Sequence, residues 1–91
     1  DVRRISSGHV SRAATALRQY LDRRPGHAQV WVELAALRLH LGERERALAA
    51  MRRGLDTGGQ SLRRALAENP RYEALRRDPA FLSLLAEAIQ N

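Results

Sequence analysis

The sequence predicts an all-α protein of antiparallel helix pairs, stacked as a short α-solenoid and closed by degenerate C-terminal capping helices. Three observations carry this. A shift of 34 places aligns the chain with itself, pairing Gly8 with Gly42, Arg12 with Arg46, Ala13 with Ala47, Ala16 with Ala50, Arg18 with Arg52, Leu21 with Leu55 and Asp22 with Asp56. Apolar residues within each copy recur at three- and four-residue spacing, the period of a helix face. Glycines and prolines fall between those stretches, where helices start and stop.

The elements follow in order. Extending the alignment backward pairs Arg4 with Arg38 and Ile5 with Leu39, so residues 1–7 read as the end of a helix whose beginning is absent. From His9 to Leu21 the apolar positions are Val10, Ala13, Ala14, Leu17 and Leu21, and Pro25-Gly26 closes the run. Between Ala28 and Leu41 only Gln29, Glu33, Arg38 and His40 are polar. A helix apolar on more than one face must be covered from more than one side. Gly42 ends it, glycine being the residue that enters the left-handed region most readily. From Glu43 to Leu55 the stripe Ala47, Leu48, Ala50, Met51 and Leu55 gives a helix with one dry face, ended by Gly58-Gly59.

After Gly59 the period fails, because Pro70 falls where a third copy of the first helix would have its interior. Proline there removes a hydrogen bond and clashes with the preceding turn, at a cost of about 3 kcal/mol. The pattern predicts a short helix near Leu62–Glu68, another begun by Asn69-Pro70, and a last one begun by Asp78-Pro79. Asn or Asp followed by Pro joins a capping side chain to the residue best suited to the first helical position. In the last helix Phe81, Leu84, Leu85, Ala88 and Ile89 form a core-facing stripe. The chain therefore divides into a partial repeat (1–25), a complete repeat (28–59) and a degenerate repeat with capping helices (61–91), all in one domain.

A 34-residue helix-turn-helix unit of this pattern resembles the tetratricopeptide repeat, whose signature is W-x2-L-G-x2-Y, then A-x3-F, then P. Trp31, Leu34 and Ala47 match it; Ala35 and Met51 stand in for its Gly and Phe; Arg38 replaces its Tyr and Gly59 its Pro. The upstream half-unit supplies Ala13, Leu17 and Pro25, so the resemblance covers about residues 1–59, and Asn69–Leu85 is similar to the degenerate ends of bacterial arrays. The resemblance implies a concave groove, lined by first helices, that binds a peptide or partner helix without catalysis. Its groove residues would be Gln29, Val32, Glu33, Ala36, Leu39 and His40. Members of the family that grip a C-terminal carboxylate carry Lys and Asn on this surface. Val32, Ala36 and Leu39 offer methyl groups instead, which points to an apolar strand or amphipathic helix as ligand. The competing expectation is that these three are covered by another repeat or by the chain's own tail. Arrays usually need three repeats, so the chain reads as a fragment of a larger bacterial scaffold or adaptor, or as one whose N-terminal end pairs with a second copy.

Other chemistry finds little support. The chain has no cysteine, hence no disulfide framework, and the redox state of its compartment is left open. His9, His27 and His40 lack metal-site spacing, the serines lack a nucleophile elbow, and Gly58-Gly59 is followed by no GK[ST], so neither metal, cofactor nor catalytic centre is expected. No apolar run approaches a membrane span. The net charge of +6 comes from sixteen basic residues, all arginine, against ten acidic ones. A basic helical domain that binds nucleic acid or another polyanion is thus the alternative function. It is disfavoured because aromatics for base stacking are nearly absent and many arginines fall on the polar face of second helices or near helix C-termini. A gene rich in G and C would also give arginine without lysine.

Overall fold

A computed structural model describes the backbone of residues 2–90 and the side chains of residues 8–90. Its elements are α1 (Val2–Arg23), α2 (Ala28–His40), α3 (Arg44–Glu68), a 3-10 turn (Pro70–Tyr72), α4 (Glu73–Arg76) and α5 (Pro79–Ile89). The described residues contain no strand. None of the helices is long and apolar enough to cross a membrane.

α2 lies between α1 and α3 and packs most extensively on α3. Its near-continuous apolar sequence is what allows two neighbours: Val30, Trp31, Val32, Leu34 and Ala35 are all buried. They join Leu21 of α1 and Ala47, Ala50, Met51 and Leu55 of α3 in a single core. Burying a side chain of this size contributes roughly 1.5–3 kcal/mol, so the interface of α2 with its neighbours dominates the repeat's stability. Close approach depends on Gly54, whose added Cβ would stand 3.0 Å from the Trp31 Cβ and 3.3 Å from the Ala28 carbonyl oxygen.

The turn after α2 is made as its sequence predicts. Gly42 has φ +80°, and the amides of Glu43 and Gly42 donate to the carbonyls of Arg38 and Leu39 at 2.9 and 3.0 Å. This is the paired bond pattern that satisfies a helix's last carbonyls. Gly8, the aligned glycine of the first copy, behaves differently. It has no positive φ, and α1 runs unbroken through it, so residues 2–7 continue the helix and do not form the end of a separate one. One internal glycine costs a helix only about 1 kcal/mol and cannot end it without a turn that tertiary contacts reward. The expected pairing of the N-terminal end with a second copy falls largely on side chains outside the described residues.

At the other end, the break expected at Gly58-Gly59 is a kink. Helical geometry persists on both sides of Gly59, which has φ 57° and ψ −142°. The reversal brings Leu62 and Leu66 into the core. Asn69 accepts a bond from the Arg71 amide and Asp78 one from the Ala80 amide, each at 2.9 Å, so both expected caps form. The Asn69-Pro70 cap opens a 3-10 turn before the short α4. Arg76 bends back to donate to the carbonyls of Leu66 and Asn69 at 2.9 and 2.8 Å, closing the end of α3 with a cation. Phe81, Leu84 and Ala88 of α5 are buried against the core, whereas Ile89, in the last turn, is 43% exposed and leaves the predicted stripe. Arg44 at the start of α3 donates to Glu87 at 2.9 Å and to Ser83 at 3.3 Å, tying α5 to the opening turn of α3.

Candidate functional site

With α1 and α3 on its flanks, α2 has two further sides, one partly open and one covered by arginine side chains. At about 100° per residue, Gln29, Glu33, Ala36 and His40 share one side of the helix, while Trp31, Leu34 and Arg38 share the opposite side, roughly half a turn away.

The first lane contains four of the six expected groove residues. Gln29 and His40 are exposed at its ends; Glu33 and Ala36 are half-buried between them. Leu39 is half-buried at its margin, and both Ala36 and Leu39 also touch the core cluster. Val32 does not belong to the lane: it has no exposed surface. Its helical position turns it toward α3, where its Cγ2 lies 3.5 Å from the place a Cβ on Gly54 would occupy. Its own repeat partner thus covers part of it, in a core cluster that also includes Leu62, Leu66, Tyr72, Phe81 and Leu84 of the degenerate third segment.

The tail touches α2 through α5 and through the 3-10 turn, which reaches Glu33. Arg71, in the 3-10 turn, forms an ion pair with Glu33, whose hydrogen bond and negative charge together raise the guanidinium's already high pKa. Next to it Tyr72 is buried with its hydroxyl unpartnered. Burial raises the phenol's pKa; the Arg71 charge opposes that rise and Glu33 adds slightly to it. The lane from Ala36 to His40 is left clear of this contact.

The second lane opens into a recess of about 500 Å³ lined by Arg18, Trp31, Leu34, Arg38, Arg46, Ala49, Ala50 and Arg53. Its floor is apolar and its rim cationic. The Trp31 indole N–H donates to the Pro25 carbonyl at 2.9 Å, which fixes the ring at the head of the recess. The guanidinium carbons of Arg18 and Arg53 lie over that ring at 5.5 and 5.2 Å from its centroid, within cation–π range. Two carboxylates stand near the rim: Asp22, 2.7 Å from Arg18, and Glu43, 3.5 Å from Arg38 and 3.6 Å from Arg46. Among the described residues Arg53 pairs with no carboxylate. The Arg38 side chain is only 16% exposed, unusual for an arginine.

Residue-by-residue reasoning missed this recess. Arg18 and Arg46 are solvated, as their places on the polar faces of second helices predict, but the sequence does not show that three helices bring them together around Trp31. The available signals were Arg38 in place of the signature's Tyr and the seven-residue spacing of Arg46 and Arg53, which puts both on one face of α3.

The histidines are dispersed. His9 and His40 are exposed, and His27 shares a 2.7 Å hydrogen bond between its Nδ1 and the Tyr20 hydroxyl. Among the described residues no group of three or more His, Cys, Asp or Glu side chains could hold a metal ion.

Searches of curated proteins and of solved structures returned no match. The family model described as tetratricopeptide repeat matches residues 4–62, close to two thirds of the chain. That repeat is generally a non-catalytic fold and points to protein–protein interaction. With its helix pair Ala28–His40 and residues 44–58 of α3, its Trp31-centred packing and this match, the chain belongs to the tetratricopeptide repeat family.

Proposed function

We propose that the chain is a scaffold or adaptor module that docks a peptide or helix of a partner protein along α2, on the lane formed by Gln29, Glu33, Ala36 and His40, with Leu39 at its edge. The observation that carries this reading is the split role of α2. Its core positions are spent on its neighbours, yet on a third side Gln29 and His40 stay exposed and Glu33 and Ala36 only half-buried.

The lane suits a shallow, mixed contact. Ala36 and Leu39 supply apolar area, Gln29 and His40 supply hydrogen-bonding groups at either end, and Glu33 is already neutralised by Arg71. An amphipathic helix laying its apolar stripe on Ala36 and Leu39 fits this chemistry. Replacing Ala36 with Arg places a long cation in the middle of the lane. Partner binding measured by calorimetry should fall at least about tenfold, the equivalent of 1.4 kcal/mol, with helicity unchanged. Unaltered affinity in a folded Ala36→Arg variant would move the docking surface elsewhere.

A further inference from the structure

The arginine-rimmed recess on the opposite side of α2 is a second site, independent of the lane. We infer that it binds an acidic segment of a partner protein, whose carboxylates meet Arg18, Arg38, Arg46 and Arg53 above the arginine-covered Trp31 ring and the exposed Ala49.

Charge complementarity selects this occupant. Four guanidiniums face the recess, and the nearby carboxylates of Asp22 and Glu43 offset only half of that charge. Glu43 is shared between Arg38 and Arg46 at 3.5 and 3.6 Å, longer than a strong charge-assisted bond, and Arg53 has no carboxylate among the described residues. Donor capacity is thus left over on three of the four. A guanidinium satisfies a carboxylate with two parallel N–H donors, so these groups match a peptide carrying more than one Glu or Asp.

The floor decides between a peptide and a nucleic acid. Single-stranded nucleic acid is held by bases stacked on open aromatic faces. Trp31 is the only aromatic lining the recess, its N–H is committed to Pro25, and two guanidiniums already lie over its ring. A volume of about 500 Å³ takes a few side chains. A second copy of this chain is disfavoured by a net charge of +6 on each.

Arg38 gives the site its specificity. It occupies the signature position of a tyrosine, which would fill the same space with an aromatic ring. Arginine leaves the recess open and places a largely buried cation at its wall.

Trp31 is the chain's one tryptophan and reports directly on the site. Its fluorescence is titrated with a short synthetic peptide of alternating Leu and Glu, with the matching Leu and Gln peptide, and with an oligothymidylate of equal charge, in about 0.15 M salt. The Leu–Glu peptide should give a saturable change and the other two none. Arg53→Gln and Arg38→Tyr should each weaken that binding by about tenfold or more, whereas Arg63→Gln, outside the recess, should leave it unaltered. Arg38→Tyr keeps the fold by supplying the family's own residue, and Arg53→Gln tests the site if it does not. The inference is overturned if the oligonucleotide binds and the peptide does not, or if Arg63→Gln weakens binding as much as Arg53→Gln. A fluorescence change with protein concentration alone would assign the recess to a second copy and overturn it equally.

Discussion

Replacing Gly59 with alanine should destabilise the chain through its backbone alone. At φ 57° and ψ −142° the residue sits in a region that other amino acids enter at a cost of roughly 1–3 kcal/mol. No steric term adds to this, since a Cβ there meets nothing within 4 Å. Alanine recovers about 0.4–1 kcal/mol by restricting the unfolded chain, leaving a net loss of about 1–2 kcal/mol. For a domain of this size that lowers the Tm by roughly 5–15 °C. Gly26→Ala is the matched control: its φ is not positive and its Cβ also meets open space, so it should be neutral or slightly stabilising. Urea unfolding followed by far-UV circular dichroism compares the two. The kink matters because it turns Leu62 and Leu66 back into the core; a straight α3 would carry them away. If Gly59→Ala comes within about 0.5 kcal/mol of Gly26→Ala, the kink is not held by this glycine and the reasoning fails.

The neighbouring glycine gives a different prediction. A Cβ on Gly58 would stand 2.6 Å from the Leu62 Cβ and 2.8 Å from the Ala28 Cβ, so Gly58→Ala should cost about 1–3 kcal/mol by overpacking, measurable in the same unfolding series. Met51 has no exposed surface, and Met51→Ala should cost about 2–5 kcal/mol, with a lowered urea midpoint at unchanged slope. Tyr72→Phe removes a buried hydroxyl that has no partner, so its stability at neutral pH should equal or exceed the parent's by up to about 1 kcal/mol; a clear loss would mean that the hydroxyl is satisfied in solution. The same phenol sets an alkaline limit. Its folded pKa is raised above the ordinary value of 10.0, so its contribution is intact below about pH 10 and is lost as pH rises through the folded pKa. Tyr72→Phe should flatten that decline; an equal decline in the variant would assign it to other groups.

Features set by neighbouring residues in the chain were legible in the sequence. Gly42 adopts its turn because a lone glycine after an apolar helix has few other uses, and Asn69-Pro70 and Asp78-Pro79 carry their caps within two residues. Features set by packing were not. Gly8 and Gly42 are the same residue in aligned places, yet only Gly42 makes a turn, because only there does a partner helix return along the first. Val32 and Ala36 are both small apolar residues four apart, and only the packing of neighbouring helices separates the buried one from the half-open one. The recess needed three helices at once: Arg18 from α1, Trp31 and Arg38 from α2, Arg46 and Arg53 from α3. Counting charges gave the arginines' number without showing that four of them converge.

The docking lane on α2 is tested most directly by mapping a bound peptide on the folded chain. A peptide selected by display against the whole chain, titrated into isotopically labelled protein, should shift the amide signals of Gln29, Glu33, Ala36 and His40 most, with Leu39 beside them. Shifts concentrated on α5 or on the outer side of α3, with the α2 lane unmoved, would contradict the proposed function.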